Sequence, residues 1–73
     1  MKVIFTEPFQ DCYLKLPAPV KVKFEKQIKF LLRDLRHPSL HAKKFDESHD
    51  VWQARINGRY RFYFQIRKDT YYI

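Results

Sequence analysis

Residues 51–67 read VWQARINGRYRFYFQIR, two runs of mainly apolar and aromatic residues on either side of Asn57-Gly58. An Asn-Gly pair between alternating runs is the strongest short-range signal for a β-hairpin. Successive side chains of a strand point to opposite faces of the sheet, so residues two apart share a face. The stretch therefore predicts an antiparallel hairpin with one apolar and one polar face.

Alternation assigns each side chain of this hairpin to a face. The apolar face carries Trp52, Ala54, Ile56, Phe62, Phe64 and Ile66, and the polar face carries Gln53, Arg55, Arg61, Tyr63 and Gln65. Directly paired residues on antiparallel strands lie about 4.5–5.5 Å apart, so two arginines there repel each other unless an anion lies between them. The pattern favours an anion site at Arg55 and Arg61. A solvated polar face is the alternative, because antiparallel sheets often have one.

The amino-terminal part of the chain predicts a strand and then a helix. Residues 2–6, KVIFT, have the β-branched and aromatic composition of a short strand. Thr6 suits the N-cap of the following helix, and Pro8 is tolerated in its first turn. Apolar side chains at helical spacing form one face of that helix: Phe9, Cys12, Tyr13 and Leu16. Cys12 is therefore predicted to lie in the core.

A second helix is predicted from Pro19 to the His37-Pro38 pair, because a residue before proline is pushed out of the α region. Its apolar stripe consists of Val20, Phe24, Ile28, Leu31 and Leu35, and lysines and arginines cover much of the remainder. We interpret these basic residues as solvated or as facing an acidic partner. A membrane-surface helix is disfavoured, since the apolar stripe is needed for the core. The short link between the helices predicts a helical hairpin.

The remaining segments complete an α+β domain. Residues 37–50 have no clear period and predict a loop, whereas residues 70–73, after a Lys68-Asp69 turn, predict a last strand. The predicted fold is β-α-α-β-β-β, with the helical hairpin on one face of a small antiparallel sheet, in a single domain of 73 residues. A sheet that ends at residues 70–73 has an open edge there, which predicts self-association or pairing with a partner.

The composition narrows the class of partner. Lys and Arg outnumber Asp and Glu by 15 to 8, which gives a net charge of +7. This excess favours a nucleic acid, an acidic protein or an anionic membrane surface, with high solubility alone as the alternative. No apolar run is long enough to cross a bilayer. The single cysteine excludes an intrachain disulfide and fits a reducing cytoplasm.

A metal site formed by the three side chains of His37, His41 and Cys12 is disfavoured. The four-residue spacing of the histidines would place them together only on a helix. Pro38, between them, argues against a helix there. No metal or other cofactor is therefore expected.

The order of a short strand, a helical hairpin, a basic loop and then VWQARINGRYRFYF resembles the RelE/ParE superfamily of bacterial toxins from type II toxin–antitoxin pairs. The recurrent pattern of that superfamily is matched by Lys44-Phe45, by Trp52 with Arg55, and by Tyr60-Arg61-Phe62-Tyr63. The resemblance extends over the whole chain, but only this middle section is specific. RelE-like members are metal-independent endoribonucleases that cut mRNA, many of them in the ribosomal A site, whereas ParE-like members inhibit DNA gyrase. The resemblance thus implies a toxin that represses translation and binds a cognate antitoxin.

The resemblance also implies roles for individual residues. Arg61 matches the strand arginine that stabilises charge on the phosphorane when the ribose 2′-OH attacks the adjacent phosphate, and Arg55 stands where a basic residue recurs. The loop residues His49 and Glu47 are candidates for the general acid and base. The candidates for RNA binding are Lys43, Lys44, Gln53, Arg59 and Tyr63.

The sequence departs from the superfamily pattern in two respects. RelE-like nucleases usually continue beyond the point that corresponds to Ile73 and take further catalytic residues from that tail, so the chain is expected to lack a C-terminal segment. Gln53 occupies a place where some relatives carry lysine. The alternative function is therefore a non-catalytic module of the same fold that binds ribosome, gyrase or antitoxin without cutting RNA.

Overall fold

The computed structural model describes residues 1–73 as two helices packed against a five-stranded sheet. The elements in chain order are β1 (Lys2–Ile4), α1 (Glu7–Leu14), α2 (Ala18–Arg33), β2 (Lys43–Asp46), β3 (Val51–Arg55), β4 (Arg61–Arg67) and β5 (Thr70–Tyr72). The strand order in the sheet is β1-β5-β4-β3-β2. The predicted α+β fold, with its two helices inserted after the first strand, is confirmed. Neither helix has the length and apolar character needed to cross a membrane.

The core lies between α2 and the apolar face of the central strands. Phe24 of α2 meets Phe62 of β4 edge to face, with 5.2 Å between the ring centroids. Ala54, Phe62 and Phe64 are fully buried, as the alternation of the hairpin predicts. Burial of a large apolar side chain contributes about 1.5–3 kcal/mol, so this contact fixes which face of β3 and β4 is covered and which stays open.

Both edges of the sheet differ from the prediction. Residues 43–46, predicted as part of a loop, form β2 and pair antiparallel with β3. At the other edge β1 pairs with β5 in parallel, so the sheet is mixed rather than wholly antiparallel. The open edge predicted at residues 70–73 is therefore wrong, because β5 lies between β4 and β1. The backbone of Ile73 is also paired: its N–H donates to Ile4 and its carbonyl accepts from Thr6.

The ends of the helices are set by local hydrogen bonds that the apolar pattern does not encode. α2 ends at Arg33 rather than at His37, because Asp34 is extended and its side chain accepts a hydrogen bond from the Arg36 N–H at 2.9 Å. Aspartate side chains compete with helical hydrogen bonding in this way. Thr6 occupies the N-cap position of α1, but its hydroxyl donates to the Ile73 carbonyl at 2.7 Å instead of capping the helix.

The first helix lies at the margin of the core. It contacts α2 through Phe9 and Tyr13, whose ring centroids lie 5.0 and 5.8 Å from that of Phe24. No residue of α1 is fully buried, and Cys12 is exposed. The prediction that Cys12 is a core residue is therefore wrong, because only part of the apolar face of α1 has a neighbour.

The β3–β4 connection is closed by the side chain of Asn57. Its Oδ1 accepts hydrogen bonds from the N–H groups of Arg59, at 2.8 Å, and Tyr60, at 3.0 Å. Gly58 does not have a positive φ. The hairpin is thus where Asn57-Gly58 predicts it, but the asparagine side chain rather than the freedom of the glycine forms the turn.

Candidate anion-binding cleft

The strand register brings the two arginines of the polar face directly opposite each other. Arg55 of β3 pairs with Arg61 of β4, and Gln53 pairs with Tyr63. Alternation predicts this face, and the structure adds the register. The helices cover the other side of the sheet, so these side chains border an open surface.

A cleft of about 380 Å³ opens on this surface. It is lined by His41, Ala42, Lys43, Gln53, Arg55 and Arg61. Four of these side chains carry or can acquire a positive charge, and none is a carboxylate. A concave site with that lining attracts anions, because a bound negative group relieves the repulsion between the like charges around it.

Arg55 has no partner within the protein. Its Nε is buried and makes no hydrogen bond. The three ion pairs of the molecule involve Lys44 or His49 and leave both arginines without a carboxylate. An unsatisfied buried donor costs about 1–3 kcal/mol, so the guanidinium is prepared for a ligand that accepts hydrogen bonds.

Arg61 is positioned by the hairpin turn and keeps free donors. Its Nη1 donates to the carbonyls of Asn57, at 2.8 Å, and Tyr60, at 3.2 Å. A guanidinium has five N–H donors in a planar fork, so Nε and Nη2 remain available. The turn therefore orients the guanidinium of Arg61 and leaves its Nε and Nη2 donors free.

Gln27 holds the two sides of the cleft together from beneath. This side chain of α2 is fully buried. Its Nε2 donates to the carbonyl of Arg55 at 2.8 Å and to that of Ser39 at 3.0 Å, and its Oε1 accepts from the Ser39 hydroxyl at 3.0 Å. Since Ser39 belongs to the 3₁₀ turn Pro38–Leu40 that leads into His41, Gln27 ties this turn to β3.

His41 is a cleft residue that sequence reasoning did not select. It follows the 3₁₀ turn with a left-handed backbone, φ 48, and its side chain lines the cleft. In the sequence it stands in a segment without periodicity. If residues 43–46 are read as a strand beside β3, His41 lies just before the edge strand of the polar face. That position is the signal by which the sequence could have identified it.

The two loop lysines lie on opposite faces of β2. Lys43 pairs with Gln53 and lines the cleft. Lys44 pairs with Trp52, its Nζ lies 5.2 Å from the centroid of the indole ring, and it forms ion pairs with Asp50 and Glu47. The hydrogen bond to Asp50 raises the pKa of Lys44. Only Lys43 is therefore free to meet an anion in the cleft.

The two predicted acid–base candidates lie at the far end of the hairpin β2–β3. His49 and Glu47 are in the turn before Val51, whereas Arg55 ends β3, a separation of about 13 Å at about 3.3 Å per residue. Glu47 approaches Lys44, with 3.9 Å between Nζ and Oε2. The structure thus does not bring His49 or Glu47 into the cleft.

His49 belongs instead to a hydrogen-bonded turn with Asp46. The Nδ1 of His49 lies 2.8 Å from Oδ2 of Asp46, and the Ser48 hydroxyl donates to Oδ1 at 2.7 Å. Hydrogen bonds from Ser48 and then from His49 lower the pKa of Asp46 to about 2. Arg59 is exposed in the β3–β4 turn and does not line the cleft.

Beside the cleft, the polar face carries an exposed aromatic pair, Phe45 and Tyr63. Their ring centroids are 5.0 Å apart and the ring planes are inclined at 63°. Tyr63 is the cross-strand neighbour of Gln53, which lines the cleft. Cationic groups and aromatic rings therefore adjoin on one open surface.

A second cavity of about 850 Å³ lies along the helices, away from this surface. Its lining is mainly aromatic and aliphatic: Phe5, Phe9, Gln10, Tyr13, Leu14, Phe24, Glu25, Ile28 and Lys29. Its charged side chains are one carboxylate and one ammonium, Glu25 and Lys29, so it has no excess of positive charge. We therefore consider the cationic cleft as the candidate anion site and the groove along the helices as a candidate contact surface.

Comparisons with known protein families, with curated proteins and with solved structures found no match for the chain. The chemistry of the cleft itself therefore indicates what the protein can bind. A set of cationic forks and point charges, in which the Nε of Arg55 has no partner, can bind a phosphodiester and stabilise additional charge on it.

Proposed function

We propose that the protein is an RNA-binding endoribonuclease that cleaves mRNA and so represses translation in the cytoplasm, as the toxin of a RelE-like toxin–antitoxin pair. The observation that carries the proposal is the opposed pair Arg55 and Arg61, without carboxylate partners, with the Nε of Arg55 buried and unpaired. Two cations so close are mutually destabilising in the absence of an anion. A phosphodiester between them relieves the repulsion and satisfies the free donors.

The reaction that suits this cleft is transesterification within RNA. The ribose 2′-oxygen forms a bond to the adjacent phosphorus, the bond from phosphorus to the 5′-oxygen breaks, and a 2′,3′-cyclic phosphate and a 5′-hydroxyl result. Charge accumulates on the phosphorane oxygens, where the forks of Arg55 and Arg61 stabilise it. His41 is the cleft group whose imidazole can accept the 2′-OH proton or donate a proton to the leaving oxygen.

The decisive experiment is cleavage of RNA by wild-type protein and by Arg61→Ala, with and without ribosomes. Losing one preorganised donor to developing charge reduces cleavage on the order of 10²–10³-fold. Arg61→Lys recovers little, because a point charge does not reproduce a two-pronged fork. Circular dichroism and the unfolding midpoint establish that each variant is folded. Full activity in folded Arg61→Ala would remove the mechanism.

A binding module that does not cut RNA is the second candidate, and one observation favours it. The cleft contains no carboxylate, and His49 and Glu47 lie at the other end of the hairpin. If this alternative holds, the protein binds both RNA and 2′-deoxy oligonucleotides and forms no 2′,3′-cyclic product from the RNA. Inhibition of gyrase supercoiling without RNA cleavage would instead assign it to the ParE-like function.

The cognate antitoxin is the proposed protein partner. The groove along the helices is wide and largely apolar, with Leu14 72% exposed and Phe5 38% exposed at its margin. An amphipathic segment fits such a surface, with apolar residues at helical spacing in the groove and acidic residues toward Lys29. Co-purification with the product of an adjacent small acidic reading frame tests this assignment. Retention of that complex after Phe9→Asp would exclude the groove.

A further inference from the structure

Phe45 and Tyr63 form a hydrophobic surface that the core does not use. Phe45 is 60% exposed and Tyr63 is 45% exposed. Each ring has the other as its aromatic neighbour, and both stand on the open side of the sheet. Leaving a phenylalanine side chain in water forgoes about 1.5–3 kcal/mol of burial, so such a residue on a sheet face indicates a contact surface.

Alternation along β2 places Phe45 on the same open face as Lys43, next to an irregularity in the strand. The pairing with β3 shifts between Lys44 and Asp46, so Phe45 has no residue directly opposite it. A β-bulge of this kind bends the strand locally, and bulges are frequent beside functional sites. Phe45, without a partner opposite it in β3, has its ring against that of Tyr63 in β4.

The aromatic pair lies two residues along the strands from the cationic cleft. Tyr63 and Arg61 are two residues apart on β4 and share a face, a separation of about 7 Å. Lys43 has the same two-residue relation to Phe45 along β2. A phosphate held by the arginines therefore leaves the attached nucleoside within reach of the rings.

We propose that Phe45 and Tyr63 are a stacking platform for an unpaired base, so that the ligand of the cleft is single-stranded nucleic acid. This inference rests on the proposed function and names the substrate class of the same site. Base–aromatic stacking needs a base with a free face, which a duplex does not offer at its centre. Stacking tolerates every base, so the platform selects strandedness rather than sequence.

Charge favours this occupant over an apolar protein segment. The polar side chains on the cleft side of the platform are cationic or neutral: Lys43, Gln53, Arg55 and Arg61 line the adjoining cleft. A nucleic acid brings both the negative charge that these groups need and the flat apolar surface that the rings need. A protein segment would have to supply acidic and aromatic groups in the same spacing.

The test compares two uncleavable probes, oligodeoxythymidylate and an abasic phosphodiester of equal length, by fluorescence anisotropy. Phe45→Ala and Phe45→Leu should weaken binding of the first probe by roughly 5- to 150-fold, the range of one base–aromatic stack. Both variants should leave binding of the abasic probe unchanged, and Phe45→Trp should retain wild-type affinity. Val22→Ala, which shortens an apolar side chain that is 67% exposed on α2, is the matched control.

The outcomes separate this inference from the proposed function. Equal losses of affinity for both probes would show that Phe45 acts through charge or backbone structure. Unchanged binding of both probes would indicate that the platform contacts a protein partner instead. Either result overturns the stacking role. Arg61→Ala should weaken both probes. If it weakens both while Phe45→Ala weakens neither, only the platform fails. If Arg61→Ala weakens neither, the proposed function itself fails.

Discussion

At the scale of single residues, Arg55 lowers the free energy of unfolding of the protein without a ligand. Its Nε is buried without a partner, and its direct cross-strand neighbour is another arginine. An unpaired buried donor costs about 1–3 kcal/mol and opposed like charges up to about 1 kcal/mol. Binding sites commonly keep residues whose removal would stabilise the fold, because the ligand supplies the missing partner.

Arg55→Met is therefore expected to raise the free energy of unfolding, by about 1 kcal/mol, while it weakens RNA binding. Methionine keeps the apolar stem of the side chain and removes both the unpaired donor and the repulsion. Urea denaturation measures the first effect and anisotropy with labelled RNA the second. The control is Arg59→Met in the exposed turn, which should change stability by less than about 0.5 kcal/mol. A destabilised Arg55→Met variant would show that the guanidinium contributes to the fold.

At this scale the sequence predicts which face a side chain occupies wherever a strand alternates. The placement of Gln53, Arg55, Arg61 and Tyr63 on one face follows from a period of two. Their exact pairing does not follow from it, because it depends on the length of the turn. His41 could not be found in that way, because its position depends on a left-handed backbone after a 3₁₀ turn and on a hydrogen bond from α2 to Ser39. Cys12 was misplaced because periodicity shows which residues share a face but not how much of it is covered.

At the scale of elements, Gln27 links α2, the 3₁₀ turn and β3. It is a polar residue within an apolar helix face, and its three hydrogen bonds satisfy groups that are otherwise enclosed. Gln27→Met, of similar size, should lower the free energy of unfolding by about 2–3 kcal/mol, since buried carbonyls are left unpaired. Because the turn that carries His41 is then released, RNA binding should weaken even at temperatures where the variant remains folded.

The control for this prediction is Lys26→Met, next to Gln27 on α2 but exposed. It should leave the unfolding midpoint nearly unchanged. Hydrogen exchange gives the discriminating measurement: in Gln27→Met the amides of residues 39–41 should lose protection more than those of the rest of the chain. Uniform loss of protection would mean that Gln27 supports the core in general and not this turn.

The β2–β3 turn gives a prediction for pH. Hydrogen bonds from Ser48 and His49 lower the pKa of Asp46 to about 2. A carboxyl whose folded pKa lies below its unfolded value stabilises the fold at neutral pH, and this contribution is lost as the pH falls through the folded pKa. Asp46→Asn should therefore lower the unfolding midpoint at pH 7 and flatten its fall between about pH 4 and pH 2. Identical acid dependence in both proteins would show that Asp46 is not the responsible group.

The elements that sequence reasoning missed are those defined by their neighbours. β2 has four residues, KKFD, and its pattern is broken by the bulge at Phe45, so only its pairing with β3 makes it a strand. β1 was predicted, but its parallel partner β5 lies at the other end of the chain. Local patterns indicate that a strand exists; they do not indicate which edge it joins.

At the scale of the whole molecule, the net charge of +7 is divided between two sides. α2 presents its basic residues on the side covered by the helices, where exposed Lys26 and Lys29 lie. The cleft presents Lys43 and the two arginines on the opposite, open side of the sheet. Total charge attracts a polyanion from a distance, but only charges in contact with phosphates release counterions on binding.

The salt dependence of RNA binding distinguishes these two contributions. Lys43→Gln and Lys26→Gln each remove one positive charge, so both variants have a net charge of +6, from +7 less one. If RNA lies in the cleft, Lys43→Gln should reduce the slope of log K against log[salt] by about 0.7, the value for one phosphate contact of a single strand. Lys26→Gln should leave the slope unchanged and slow association slightly. Lys44→Gln should also keep the wild-type slope, since its ammonium is paired with Asp50 and Glu47. Equal reductions in all three variants would mean that the overall charge and not the cleft holds the RNA.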